Sequence, residues 1–137
     1  MISVYQANRI LDRSFGNVTF SVPSTMYLGL STTNINSDGT GITEPLAANG
    51  YARVAIVNDK TQWGNASLGT LLNIASFTFP QSSSSWGTIT YIFLSDSSTI
   101  GGGNLLFYDT LNPSRTVSSL TTVLFAASSF QILMNNS

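Results

Sequence analysis

Residues 87–111 read GTITYIFLSDSSTIGGGNLLFYDTL, and their pattern decides the fold class. GTITYIFLSD (87–96) and NLLFYDTL (104–111) are rich in β-branched and aromatic residues, the composition of strands. Between them, the glycines at 101–103 fit a tight turn needing positive φ. A phosphate cradle is the weaker reading, since no lysine follows and no helix begins there. Two strands joined by a turn is the motif from which the rest is read.

Outward from it, similar runs recur. Strands are expected at 17–22, at TMYLGLST (25–32), YARVAIVN (51–58), NIASFTFP (73–80), RTVSSL (115–120) and SFQILMN (129–135). Turn-rich NINSDGTG (34–41), DKTQWGNASLG (59–69) and QSSSS (81–85) separate them as loops. One stretch departs from the pattern: Val4, Ala7, Ile10, Leu11 and Phe15 recur at helical spacing, with Ser3 placed to cap and Gly16 to end a helix. Asn8, Arg9, Asp12 and Arg13 form its solvated face. Short strands without alternating helices predict a mainly β fold, an antiparallel β-sandwich or jelly-roll-like domain spanning 1–137, with one short N-terminal helix at about 3–15 and strands from about 17 onward.

Composition narrows the function classes. The 137 residues suffice for one domain with a modest core, and 42% are hydrophobic. Only 8% are charged, about a third of the usual share, with Ser, Thr and Asn as the polar filler. Net charge is −1, which argues against nucleic-acid binding. No run of 18 apolar residues or basic amphipathic helix points to a membrane, and the N-terminus lacks the layout of a signal peptide. With no histidine and no cysteine, Ser-His triads, imidazole bases and thiolate metal sites are removed together. No enzyme activity and no cofactor is expected.

The remaining candidates are few. Glu44 and Arg53 are an acid and a base nine positions apart in TEPLAANGYARVAI (43–56). Pro45 fixes a turn and Gly50 permits the return to Tyr51, so Glu44, Tyr51 and Arg53 are read as a loop clasp. An Arg53→Ala cost of about 1–3 kcal/mol is expected if the pair is partly buried. Glu44, Asp59, Asp96 and Asp109 could in principle supply a glycosidase acid pair, although no spacing singles one out. Asn34, Asn36 and Asp38 copy the first half of a calcium loop, but Pro45 stands where its bidentate acid belongs. Trp63 and Trp86 are partly buried anchors or partner-facing aromatics. The sequons at Asn17, Asn65 and Asn135 are expected by chance in so Ser/Thr-rich a chain.

The order of segments carries a resemblance. Leu28 and Leu30 in a strand with Ser-Thr are followed by Glu44-Pro45, Gly50-Tyr51-x-Arg53, Phe79-Pro80, Trp86-Gly87-Thr88 and Gly103-Asn104-Leu105-Leu106. Together they resemble a family of small tailed-bacteriophage virion proteins, of the tail-fibre-like or capsid decoration and cement kind. The chain departs from that pattern at YIFLSDSS (91–98), which keeps Asp96 but lacks the family's alanine. The resemblance implies a structural protein of the virion, assembled in the host cytoplasm. Its first expected role is decoration of the capsid exterior, with the major capsid protein and copies of itself (dimer or trimer) as partners and the N-terminal helix or first strands as contact region. The alternative is a tail-fibre or tail-associated module that meets other tail proteins or host surface glycan.

Overall fold

The computed structural model describes residues 1–134. Helix α1 runs Val4–Gly16, close to the expected span. The Ser3 hydroxyl accepts a hydrogen bond from the Gln6 N–H and donates to Leu105 O, so one buried side chain both caps the helix and ties it to the sheet. Asn17 ends the helix in the left-handed conformation, a role expected of Gly16.

Strands follow at β1 Thr25–Ser31, β2 Val54–Val57, β3 Thr70–Leu72, β4 Phe77–Thr78, β5 Gly87–Ser95, β6 Leu105–Val117, β7 Leu124–Phe125 and β8 Gln131–Leu133. All pairs are antiparallel. The main sheet has the order β2-β1-β5-β6, and β3-β8 and β4-β7 form two small ribbons. Mainly antiparallel β with one short helix is the architecture expected, and it is consistent with a β-sandwich.

Several boundaries differ from expectation. Residues 17–22 form no strand. Their alternating Val18, Phe20 and Val22 find no ladder. The segment is instead held to α1 by Arg9, whose guanidinium lies 4.2 Å from the Phe20 ring centre and donates to Ser21 O at 2.7 Å. The expected strands at 104–111 and 115–120 are one continuous strand, β6, which runs through Pro113 at a register shift opposite Ile89–Tyr91. Pro113 is tolerated there because β6 is an edge strand. Only Phe77–Thr78 of the expected 73–80 strand is extended in a ladder, and β3 and β7 were not anticipated. The first residues of 51–58 precede the strand. Asn135 and its sequon lie outside the described residues.

The core explains the layers. Successive residues of β5 serve opposite faces: Ile92 and Leu94 join the larger cluster with Leu28 and Leu30, whereas Phe93 joins a smaller one with Ile35, Leu105 and Tyr108. The inner half of the main sheet is thus covered on both sides. Phe107 of β6 meets Phe130 at 5.9 Å between ring centres, and Phe130 meets Phe77 at 6.1 Å. Those edge-on aromatics bind the small ribbons to the main sheet. Asn73, fully buried, donates to Ala75 O and Ala126 O and accepts from the Phe130 N–H, which satisfies the backbone where the ribbons converge.

Candidate functional site

The stretch 44–53 carries a buried polar cluster. After Glu44, buried Pro45 turns the chain into a single 3-10 turn, Ala47–Asn49. Gly50 then returns it at φ 84°, where a Cβ would come within 3.0 Å of Gln81 O and Ser83 N. Only glycine fits both the angle and the space. That return aims Tyr51 and Arg53 back at Glu44.

The resulting contacts are complete. Arg53 donates Nε to Glu44 Oε1 at 2.9 Å and Nη2 to Oε2 at 2.8 Å, a bidentate pair. Both side chains are 2% exposed. The Tyr51 hydroxyl donates to Glu44 Oε1 at 2.7 Å and accepts from the Leu30 N–H at 3.0 Å. It thereby satisfies β1 beyond the end of its ladder with β2, which stops at Leu28. The Gly101 N–H donates to Glu44 Oε2, while Arg53 Nη1 donates to Ser97 O and Gly102 O. The glycine turn that joins β5 to β6 is therefore held by the acid and the base of a distant loop. Gly101 and Gly103 have φ of 77° and 82°, as the sequence predicted for this turn.

Beneath the guanidinium lies a support that sequence reasoning missed. Arg53 Cζ sits 5.1 Å from the Phe93 ring centre. Phe93 pairs with Gly29 across β1 and β5, and a Cβ on Gly29 would fall 2.2 Å from the ring. Glycine in mid-strand is what lets the ring lie over the backbone and carry the arginine.

Burial alone would push the Glu44 pKa up. Hydrogen bonds from Arg53, Tyr51 and the Gly101 N–H, together with the guanidinium charge, outweigh it and hold the carboxyl below its ordinary value. Burial, then the Glu44 charge and hydrogen bond, pushes the Tyr51 hydroxyl far above its usual range. The sign for Glu44 follows: a group whose pKa is lower when folded adds stability above its unfolded pKa, near 4.5. That stability is lost as pH falls through the folded value. The melting temperature of the wild type is expected to drop more steeply below pH 4.5 than that of Glu44→Gln. Parallel acid profiles from the two chains would show that Glu44 contributes nothing of the kind.

The same geometry determines what the cluster can do chemically. A carboxylate offers about four lone-pair sites, and Glu44 accepts four hydrogen bonds. It has no site left for a substrate proton, so the pair is a clasp and not a general base. The other expected acids accept hydrogen bonds from nearby residues. Asp59 accepts from Thr61, Asp96 from Asn104, and Asp109 from the Thr110 N–H. In the calcium-like loop, Asp38 accepts from the backbone and hydroxyl of Thr40, and Asn36 donates to the same hydroxyl. These bonds make it a hydrogen-bonded turn. Among the described residues no three metal-ligating acids cluster.

Trp63 and Trp86 are each 4% exposed, so neither is the partner-facing aromatic considered from sequence. Trp86 donates Nε1 to Asn49 O at 2.8 Å and packs edge-on against Tyr51 at 5.3 Å, bracing the same loop. Trp63 packs against Phe77 at 5.5 Å.

A charge-poor antiparallel β fold, whose buried ionic cluster is spent on bracing its own loops, has the character of a structural protein. The chain belongs to the family described as podophage GP4 fiber I protein gp80, whose model matches residues 1–133. It is thus a bacteriophage structural protein of the fibre and virion class, in agreement with the resemblance carried by its motifs. No curated protein matches the chain.

Proposed function

We propose that the chain is a structural module of a podophage fibre, held in the particle by protein–protein contact and acting through its shape. The match to a fibre family over 1–133 is the observation that carries this reading. The clasp supports it, because Glu44, Tyr51 and Arg53 are committed to holding the loops around them. Its partners are neighbouring fibre or tail proteins and further copies of itself. Host surface glycan is a weaker candidate, since the two tryptophans that might have stacked on sugar rings are buried.

The test is where the protein sits. Gold-labelled antibody against the chain should decorate the tail region of intact particles, at a copy number far below that of the major capsid protein. Purified heads without tails should not bind it. Uniform labelling of the shell, with saturable binding to tailless heads, would overturn the fibre reading in favour of capsid decoration.

A further inference from the structure

A groove of about 370 Å³ opens between the main sheet and the β4–β7 ribbon. The buried Leu30 and Ile89 line it, with Leu111 and Arg115 from β6 and Leu124 and Phe125 from β7. An irregularity in the sheet shapes its β6 side. The register passes from Ile89 opposite Arg115 to Tyr91 opposite Thr110, so Thr90 alone stands across from residues 111–114. A bulge bends its strand and re-aims side chains, and this one ends with Leu111 and Arg115 on the same groove. Residues 111–114 have no register partner on β5. Beyond the bridge from Ile2 to Phe107, no strand among the described residues pairs with the outer side of β6.

Arg115 is set apart by its contacts. The chain has five Lys and Arg residues. Arg9 donates to Ser21 O, Arg13 to Asn17, Arg53 to Glu44 and Lys60 to Gly64 O. Among the described residues Arg115 makes neither a hydrogen bond nor a salt bridge, and no carboxylate lines the groove. Leu124, on the facing side, is 57% exposed. The groove thus offers an apolar bed with one uncommitted cation at its edge.

We propose that this groove receives an extended acidic–apolar segment of another protein of the particle. Its apolar side chains rest against Leu30, Ile89 and Leu124, and its aspartate or glutamate pairs with Arg115. Charge selects the acid, because a guanidinium accommodates a carboxylate through two parallel hydrogen bonds. The edge of β6 selects a peptide: backbone groups without a ladder partner match the amides of an added strand, which an acyl chain lacks. The volume suits a few side chains and lies at the low end of ligand pockets, ~300–1,000 Å³. The proposal rests on the reading of the chain as an assembled module for the source of the segment, and it specifies that partner's chemistry.

Peptide binding to the purified full chain tests the groove without particles, so its failure is distinct from failure of the fibre location. The probe is a fluorescein-labelled, end-capped peptide with two leucines at alternate positions followed by aspartate, beside a twin with lysine in place of aspartate. Fluorescence anisotropy should show saturable binding, ~10-fold or more in favour of the acidic peptide. Arg115→Glu should reverse that preference with an unchanged melting curve, since the side chain is exposed and unbonded. Lys60→Glu, an exposed cation away from the groove, should leave the preference intact. Leu124→Ser should weaken both peptides alike. Absence of saturable binding, equal affinity for the twins, or a preference indifferent to Arg115→Glu would overturn the proposal. Binding of dodecanoate but of neither peptide would give the groove to a fatty acyl ligand instead. An assembly of the chain that excludes the peptides and dissociates with Arg115→Glu would give it to a second copy.

Discussion

Arg53→Ala is expected to lower the free energy of unfolding by about 3–5 kcal/mol, the range for breaking a buried pair from one side. Both partners are 2% exposed, which moves the expectation above what the sequence alone suggested. The substitution leaves the Glu44 carboxylate buried without its cation, and it frees Ser97 O and Gly102 O from their donor. Part of the loss is therefore desolvation of groups left behind, not the attraction removed. Glu44→Gln in the Arg53→Ala background should recover some of the stability, since a neutral amide is cheaper to bury than a charge. Urea unfolding of the three chains measures both effects. A single-variant loss under ~1 kcal/mol would place the pair with exposed salt bridges and defeat the argument.

Gly29→Ala is the second large effect, expected at about 3 kcal/mol from overpacking. The added Cβ would meet three atoms of the Phe93 ring at 2.2, 2.6 and 2.8 Å. Arg53 also lies against this ring, 5.1 Å from its centre, so a shift of the ring would disturb the clasp. Either β1 and β5 part at this pair or the clasp loses its support. Phe93→Leu should cost stability alone yet partly relieve Gly29→Ala, so the two changes should be clearly non-additive. Additive losses would show that the glycine matters for some reason other than the ring.

These two sites show what the sequence disclosed and what it withheld. Glu44 and Arg53 stand out in a chain with eleven formal charges, and Pro45 and Gly50 mark the turn that joins them, so their meeting was foreseeable from local signals. The Ser3 cap and helical spacing likewise announced α1. Gly29 was invisible because a glycine inside a strand reads only as weakened β propensity. Its purpose depends on Phe93, sixty-four positions away, and register across strands is not written locally. Residues 17–22 failed in the opposite sense: they alternate like a strand, but extended backbone needs a neighbouring edge, and Arg9 holds this segment to the helix. Nor could spacing reveal that α1 would keep its apolar stripe outward, since periodicity names a face without naming what covers it.

Among the described residues the Glu44–Arg53 pair is the one salt bridge. Counter-ions screen charges that water reaches, over a Debye length of ~8 Å at physiological ionic strength, and affect shielded pairs much less. Stability in this protein should therefore be nearly flat from dilute buffer to strong brine, where a fold laced with surface ion pairs would loosen. In a particle component built this way, added salt has few surface ion pairs to loosen.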